Sequence, residues 1–221
     1  MIRRTVLLAA LLPAAGCGEQ EPADSRPKPV LNIAQPPPEP ERPPRAGEAE
    51  MVPVRIVTEA GDILVALDVR HAPVTATNFL RYVDSGRLDG TTFYRAARRP
   101  QTRSQGFVQG GVRHNLRVVF GAIEHEPTSR TGLRHVDGAI SMARDAPGTA
   151  MADFFITVGA APSMDAGPDD DPGFAVFGRV TDGMDVARRI LAAPTVSETS
   201  RSPRGQAIMR PIRILSVRRE E

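Results

Sequence analysis

Tryptophan is absent from the 221 residues, aromatic side chains make up 5 %, and cysteine and lysine occur once each, at Cys17 and Lys28. A core must therefore be mainly aliphatic, with a few of the eight Phe placed inside it. A single cysteine excludes intramolecular disulfides. A long apolar run is missing as well: residues 6–12 fall far short of the roughly 20 needed to span a bilayer. Excess charge of one sign is also lacking. The formal balance is +2, and removing Arg3 and Arg4 with a leader would bring it to zero. Without interleaved basic and aromatic residues, the pI of 9.2 is no argument for nucleic acid, and no such partner is expected. His71, His114, His125 and His135 are scattered, and Glu124-His125-Glu126 has no partner at metal-ligand spacing. No metal site is expected. Asp169-Asp170-Asp171 could attract a cation but reads as a solvated acidic loop. The glycines follow no phosphate-loop pattern. What remains is 41 % apolar, enough for one domain plus extras.

The N-terminus has the form of an export leader: Arg3-Arg4, the apolar stretch at 6–12, then Pro13-Ala14-Ala15-Gly16. Ala14-Ala15-Gly16-Cys17 resembles the lipobox of bacterial lipoproteins, in which the cysteine is acylated and becomes the mature N-terminus. The alternative is an ordinary leader with a chance cysteine. The expectation is a signal peptide over residues 1–16, lipidation at Cys17, and anchoring to the envelope facing the periplasm. Gly18 is not the Asp that retains lipoproteins at the inner membrane, which leans toward the outer membrane. Residues 17–50 carry Pro22, Pro27, Pro29, Pro36-Pro37-Pro38, Pro40, Pro43 and Pro44 among Glu, Arg and Ala. Such a stretch cannot bury enough apolar surface to fold and is expected to be a semi-rigid linker. It reads as a stalk, with a ligand for a proline-reading module as the competing reading.

Residues 51–221 form the folded part. Residues 52–58 and 63–67 read as strands around the turn Glu59-Ala60-Gly61-Asp62. Pro73 opens a helix; Ala76, Phe79, Leu80 and Val83 share one face, and Ser85-Gly86 ends it. Short strands follow at 92–95, 107–109, 139–142, 154–158 and 175–180. A second helix begins after Asp182-Gly183 with Met184, Ala187, Ile190 and Leu191 on one side, and residues 208–217 alternate as a last strand. Many short strands separated by Gly and Pro indicate a mainly β fold: a closed antiparallel β-barrel of about eight strands capped by two α-helices.

Four of these pieces deliver distinctive groups: Thr92-Phe93-Tyr94-Arg95, Phe107-Val108-Gln109-Gly110-Gly111, Ile140-Ser141-Met142-Ala143-Arg144 and Asp153-Phe154-Phe155-Ile156. One arginine among apolar surface, with no nucleophile in the constellation, does not suit hydrolysis. It suits a reaction that breaks no covalent bond. The order of motifs resembles the cyclophilin family of peptidyl-prolyl cis-trans isomerases over residues 54–217. The resemblance implies rotation about X-Pro bonds without a cofactor. It places Arg95 as the catalytic donor and Gln109 as the group that bonds substrate backbone and helps hold the arginine. Phe155 would line the proline pocket, Phe107 form a wall and Phe174 the far rim. The Ala143-Arg144 backbone would pair with the peptide, leaving the Arg144 side chain a solvated charge. Because adjacent strand residues face opposite sides, one of Phe154 and Phe155 is expected in the core and the other, Phe155, in the groove.

Departures from the family pattern are equally specific. Residues 96–106 are polar and Arg-rich where a Pro-Gly-Phe-Met type bend is usual, so a hydrophobic wall is missing or comes from elsewhere. Asp153 replaces a common Gln and would either pair with Arg95 or compete with substrate for it. No Trp lines the groove, which implies weak affinity for ligands such as cyclosporin. The implied partners are proline-containing unfolded or folding polypeptides and, through the anchor, a membrane; the implied state is a monomer. A cyclophilin-fold peptide-binding or chaperone module with little catalysis is the alternative. A mere spacer domain is disfavoured by Arg95 and Gln109 occurring together.

Overall fold

The computed structural model describes residues 51–113, 117–168, 171–196 and 204–220. The proposed leader, Cys17 and the linker lie outside them, as do His114, Asp169 and Asp170. Eight strands close a barrel: β1 (Met51–Thr58), β2 (Gly61–Asp68), β3 (Thr92–Arg98), β4 (Gly106–Gly111), β5 (Ala139–Met142), β6 (Phe154–Val158), β7 (Ala175–Asp182) and β8 (Ala207–Arg219). Their order around it is β1-β2-β7-β5-β6-β4-β3-β8, and every pairing is antiparallel. Among the described residues, closure leaves no sheet edge unpaired.

Alternation along the strands fills the interior. Val54, Ile56, Ile63, Val65, Leu67, Phe93, Val108, Ile140, Phe154, Ile156, Ile214 and Val217 all reach 0 % exposure. Helix α1 (Pro73–Asp84) packs on β2, β7 and β8, and α3 (Met184–Ala192) on β2, β3, β4 and β6. Phe79 of α1 meets Phe154 edge-on at 5.3 Å and Phe177 at 5.2 Å. Pro73 starts α1 as its fixed φ allows, but Ala72 offers no cap. Glu126 supplies it from a distant loop, accepting hydrogen bonds from the Val74 and Thr75 amides at 3.2 and 2.7 Å and from Thr75 Oγ1 at 2.6 Å. That meets the helix's orphan donors with a negative charge at its positive end. The Glu124-His125-Glu126 cluster is thus structural: Glu124 pairs with Arg130, and His125 meets the Pro172 carbonyl.

Two expectations need amendment. A third helix exists, the single turn α2 (Thr128–Thr131), too short to leave a periodic trace. The polar loop after Arg95 begins three residues later than its composition implies: Ala96, Ala97 and Arg98 extend β3 opposite Val108, Phe107 and Gly106. Arg98 turns away and donates to the Leu191 carbonyl at 2.7 Å and to that of Ala193. It satisfies carbonyls left open at the end of α3.

Candidate active site

The site lies on the outer face of the barrel because its residues alternate with core residues. Phe93, Val108 and Phe154 point inward; Gln109 and Phe155, one step along, point out. The register aligns one outer row across four strands: Ser141 opposite Phe155, Phe155 opposite Gln109, Gln109 opposite Arg95. At β3 the register slips between Phe93 and Arg95. This bulge lets two consecutive residues, Tyr94 and Arg95, face the groove while Phe93 and Ala96 stay in the core. Gly110 and Gly111 are required beside it. A Cβ on Gly110 would stand 3.0 Å from the Phe93 ring, and Gly111 has φ +126° with Asp153 packed against it.

These elements enclose a groove of about 600 Å³. Its floor is aromatic. Phe155 is 3 % exposed, with Phe107 at 5.3 Å and Phe174 edge-on at 5.4 Å. Phe154 is core, so the neighbouring phenylalanines divide as alternation requires. The apolar wall missing from residues 96–106 comes from elsewhere: Val112, Val119, Met151 and Met164 line the same groove.

Arg95 is held by two amides. Its Nη1 donates to Gln109 Oε1 at 2.9 Å, and its Nε and Nη2 donate to Gln206 Oε1 at 2.9 and 2.7 Å. Three of five N–H donors are used, leaving one on each terminal nitrogen. Both acceptors are neutral, so the charge is not cancelled. Burial, then the nearby Arg204 charge, push the Arg95 pKa below its ordinary value, yet a guanidinium remains protonated. Its carbon sits 4.9 Å from the Phe107 ring centroid, a cation–π contact. Gln109 is itself oriented, its Nε2 donating to the Tyr94 hydroxyl at 2.8 Å. Burial, with Asp153 adding to it, raises the Tyr94 pKa, so the phenol keeps its proton.

Asp153 does not pair with Arg95. Its Oδ1 accepts from the Arg113 amide at 2.9 Å and pins the turn after Gly111, where Arg113 has φ 49°. The Arg144 side chain is not a solvated charge either. It donates to the Gly173 carbonyl and lies 4.9 Å from the Phe174 centroid, clipping the rim loop in place. The Ala143 amide donates to the Asp153 carbonyl at 2.9 Å. The Ala143 carbonyl and the Arg144 amide bond to no described residue.

A constellation that residue order did not reveal lies beneath Phe155. His135 stacks on the Phe155 ring at 5.8 Å and 4°. Its Nδ1 is 2.7 Å from Asp165 Oδ1 and its Nε2 3.0 Å from Ser141 Oγ, which also lies 2.9 Å from the Ala175 carbonyl. The Ser141 hydroxyl donates its one proton to the Ala175 carbonyl, which can only accept. Burial lowers the His135 pKa, with Asp165 pulling the other way. Ser141 has 0 % exposure and His135 1 %, so the resemblance to a hydrolase triad ends at access. Sequence reading also missed Gln206, which lies 111 residues from Arg95; no local pattern marks it.

The chain matches the family described as cyclophilin type peptidyl-prolyl cis-trans isomerase/CLD over residues 53–219. It is 38 % identical over 143 residues to peptidyl-prolyl cis-trans isomerase A of Dickeya dadantii, covering 64 % of this chain and 72 % of that one. It is 33 % identical over 165 residues to a peptidyl-prolyl cis-trans isomerase of Acinetobacter baylyi, covering 74 % and 83 %. A solved cyclophilin-type isomerase of Cryptosporidium parvum superposes with TM-score 0.62 at 22 % identity, covering 77 % of this chain and 98 % of that one. The same Cryptosporidium protein was also solved in the presence of the dipeptide Ala-Pro.

Proposed function

The chain belongs to the cyclophilin-type family and is a peptidyl-prolyl cis-trans isomerase; on that premise we propose that Arg95 is the group that lowers the rotation barrier. The observation that carries this reading is a fixed guanidinium with two unspent N–H donors at the edge of an aromatic-floored groove. Rotation about X-Pro is opposed by amide resonance, a barrier of about 20 kcal/mol. As the bond twists, the ring nitrogen becomes pyramidal and its lone pair leaves the carbonyl. A donor aimed at that nitrogen or at the displaced oxygen favours the twisted state over both planar ones. Phe155, Phe107 and Phe174 hold the proline ring by apolar contact. The Ala143 carbonyl and Arg144 amide fix the extended segment beside it. Nothing needs to be oxidised, transferred or hydrolysed, so no cofactor is called for.

The proposed substrates are proline-containing unfolded or folding chains outside the cytoplasm. The reading rests on the leader-like residues 1–16, the lone Cys17 and the proline-rich stretch that follows. The domain is proposed to stand on that stretch as a monomer, anchored by lipid at Cys17. Two measurements test this together: labelling of the chain by a radioactive fatty acid, with Cys17→Ser as control, and acceleration of a proline-limited refolding phase. Label that depends on Cys17 and a faster slow phase are the expected results. A folded protein that takes no label overturns the anchor, and one that leaves the slow phase unchanged overturns the folding role. The peptide-binding alternative loses one motive, because Asp153 is spent on the Arg113 amide rather than on Arg95.

A further inference from the structure

We propose that Gln206 is a positioning residue for the reaction, fixing the Arg95 guanidinium from the strand opposite Gln109. The inference rests on the assignment of Arg95 as the donor. Strand β3 lies between β4 and β8, and one amide reaches Arg95 from each side. Gln109 comes from β4, and Gln206 stands at the residue before β8 begins. A single acceptor at Nη1 would leave the guanidinium free to swing about that contact. The pair of bonds from Nε and Nη2 to Gln206 Oε1 removes that freedom and sets the plane of the fork.

Gln206 is itself anchored. Its carbonyl accepts from the Ala96 amide at 2.9 Å, and the next residue, Ala207, pairs across from Arg95. The side chain therefore leaves a backbone tied at two successive positions to the strand it serves. Such preorganisation matters because a donor misplaced by about 1 Å can lose on the order of a hundredfold in rate. Gln206 also lines the groove, so the hold is made where substrate sits.

The test is a double-mutant cycle on the full chain, using isomerisation of an Ala-Pro test peptide. Gln206→Leu is expected to lower kcat about tenfold with KM changed less than about twofold. In the Arg95→Ala background the same change is expected to have no further effect, because Gln206 acts only through Arg95. A Gln206→Leu protein with unaltered kcat overturns the proposal, as does an equal loss in both backgrounds. Gln206→Ala serves the same cycle should the leucine variant fail to fold, with circular dichroism confirming the fold of each. If Arg95→Ala retains full rate, the assignment of Arg95 fails first. If it is crippled while Gln206→Leu is not, only the role of Gln206 falls.

Discussion

Two polar networks flank Phe155, and they differ in access rather than in geometry. Above the ring, Tyr94, Gln109, Arg95 and Gln206 form a hydrogen-bonded chain that opens on the groove. Below it, Asp165, His135 and Ser141 stand at distances that would serve nucleophilic catalysis. In the lower network His135 and Ser141 are sealed from solvent, and His135 is covered by a stacked ring. Distances alone would nominate the wrong set; exposure and unspent donors select the upper one. The lower set supports the floor on which proline would rest, and its polar atoms are satisfied by one another and by the Ala175 carbonyl, as buried groups must be.

The difference can be broken from either side. Phe155→Ala is the largest structural perturbation. It deletes the shared floor and is expected to cost about 3–5 kcal/mol of stability, read by denaturant unfolding, with peptide affinity lost as well. Next comes Asp165→Asn, which weakens the hold on His135 Nδ1 and is expected to cost about 1–3 kcal/mol by the same measurement. Its test-peptide KM and kcat should move less than its stability does. An unchanged midpoint would mean that the lower network does not support the fold.

A pH titration sharpens the contrast. Because burial holds the His135 pKa below the ordinary imidazole value, the unfolded chain takes up that proton first. Stability from this residue is then full above about pH 6.5 and falls as pH drops through the unfolded value toward the folded one. Asp165 and, 3.7 Å from it, Arg134 are the charges facing this site. Thermal melts between pH 7 and pH 5 should fall more steeply for the wild-type protein than for His135→Gln; parallel curves would remove His135 as the cause. The smallest expected effect is at the rim. Arg204 is exposed and lines the groove, so Arg204→Gln should shift preference between Pro-Glu and Pro-Lys peptides by about threefold. Indifference to that change would leave Arg204 without a role in selection.

The barrel was legible because its strands alternate cleanly and are punctuated by glycine and proline; 139–142 and 154–158 match β5 and β6 end to end. The helices were legible from Pro73, Ser85-Gly86 and the spacing of their apolar residues. Arg95, Gln109 and Phe155 were legible because their motifs are compact and ordered along the chain. The partners of those residues were not. Gln206 reaches Arg95 only once β8 closes the barrel against β3. Ser141 sits inside a recognised motif, yet its neighbours His135 and Asp165 are distributed by topology. Asp153 and Arg144 were misjudged for one reason: their partners are main-chain groups, the Arg113 amide and the Gly173 carbonyl, which carry no side-chain signature.

The measurement that bears most directly on the account is X-Pro isomerisation of a short Ala-Pro peptide by the wild-type chain beside its Arg95→Ala variant. The account predicts acceleration by the wild type and a loss of at least about a hundredfold in the variant, with an unchanged circular dichroism spectrum. Equal acceleration by both folded proteins would contradict it.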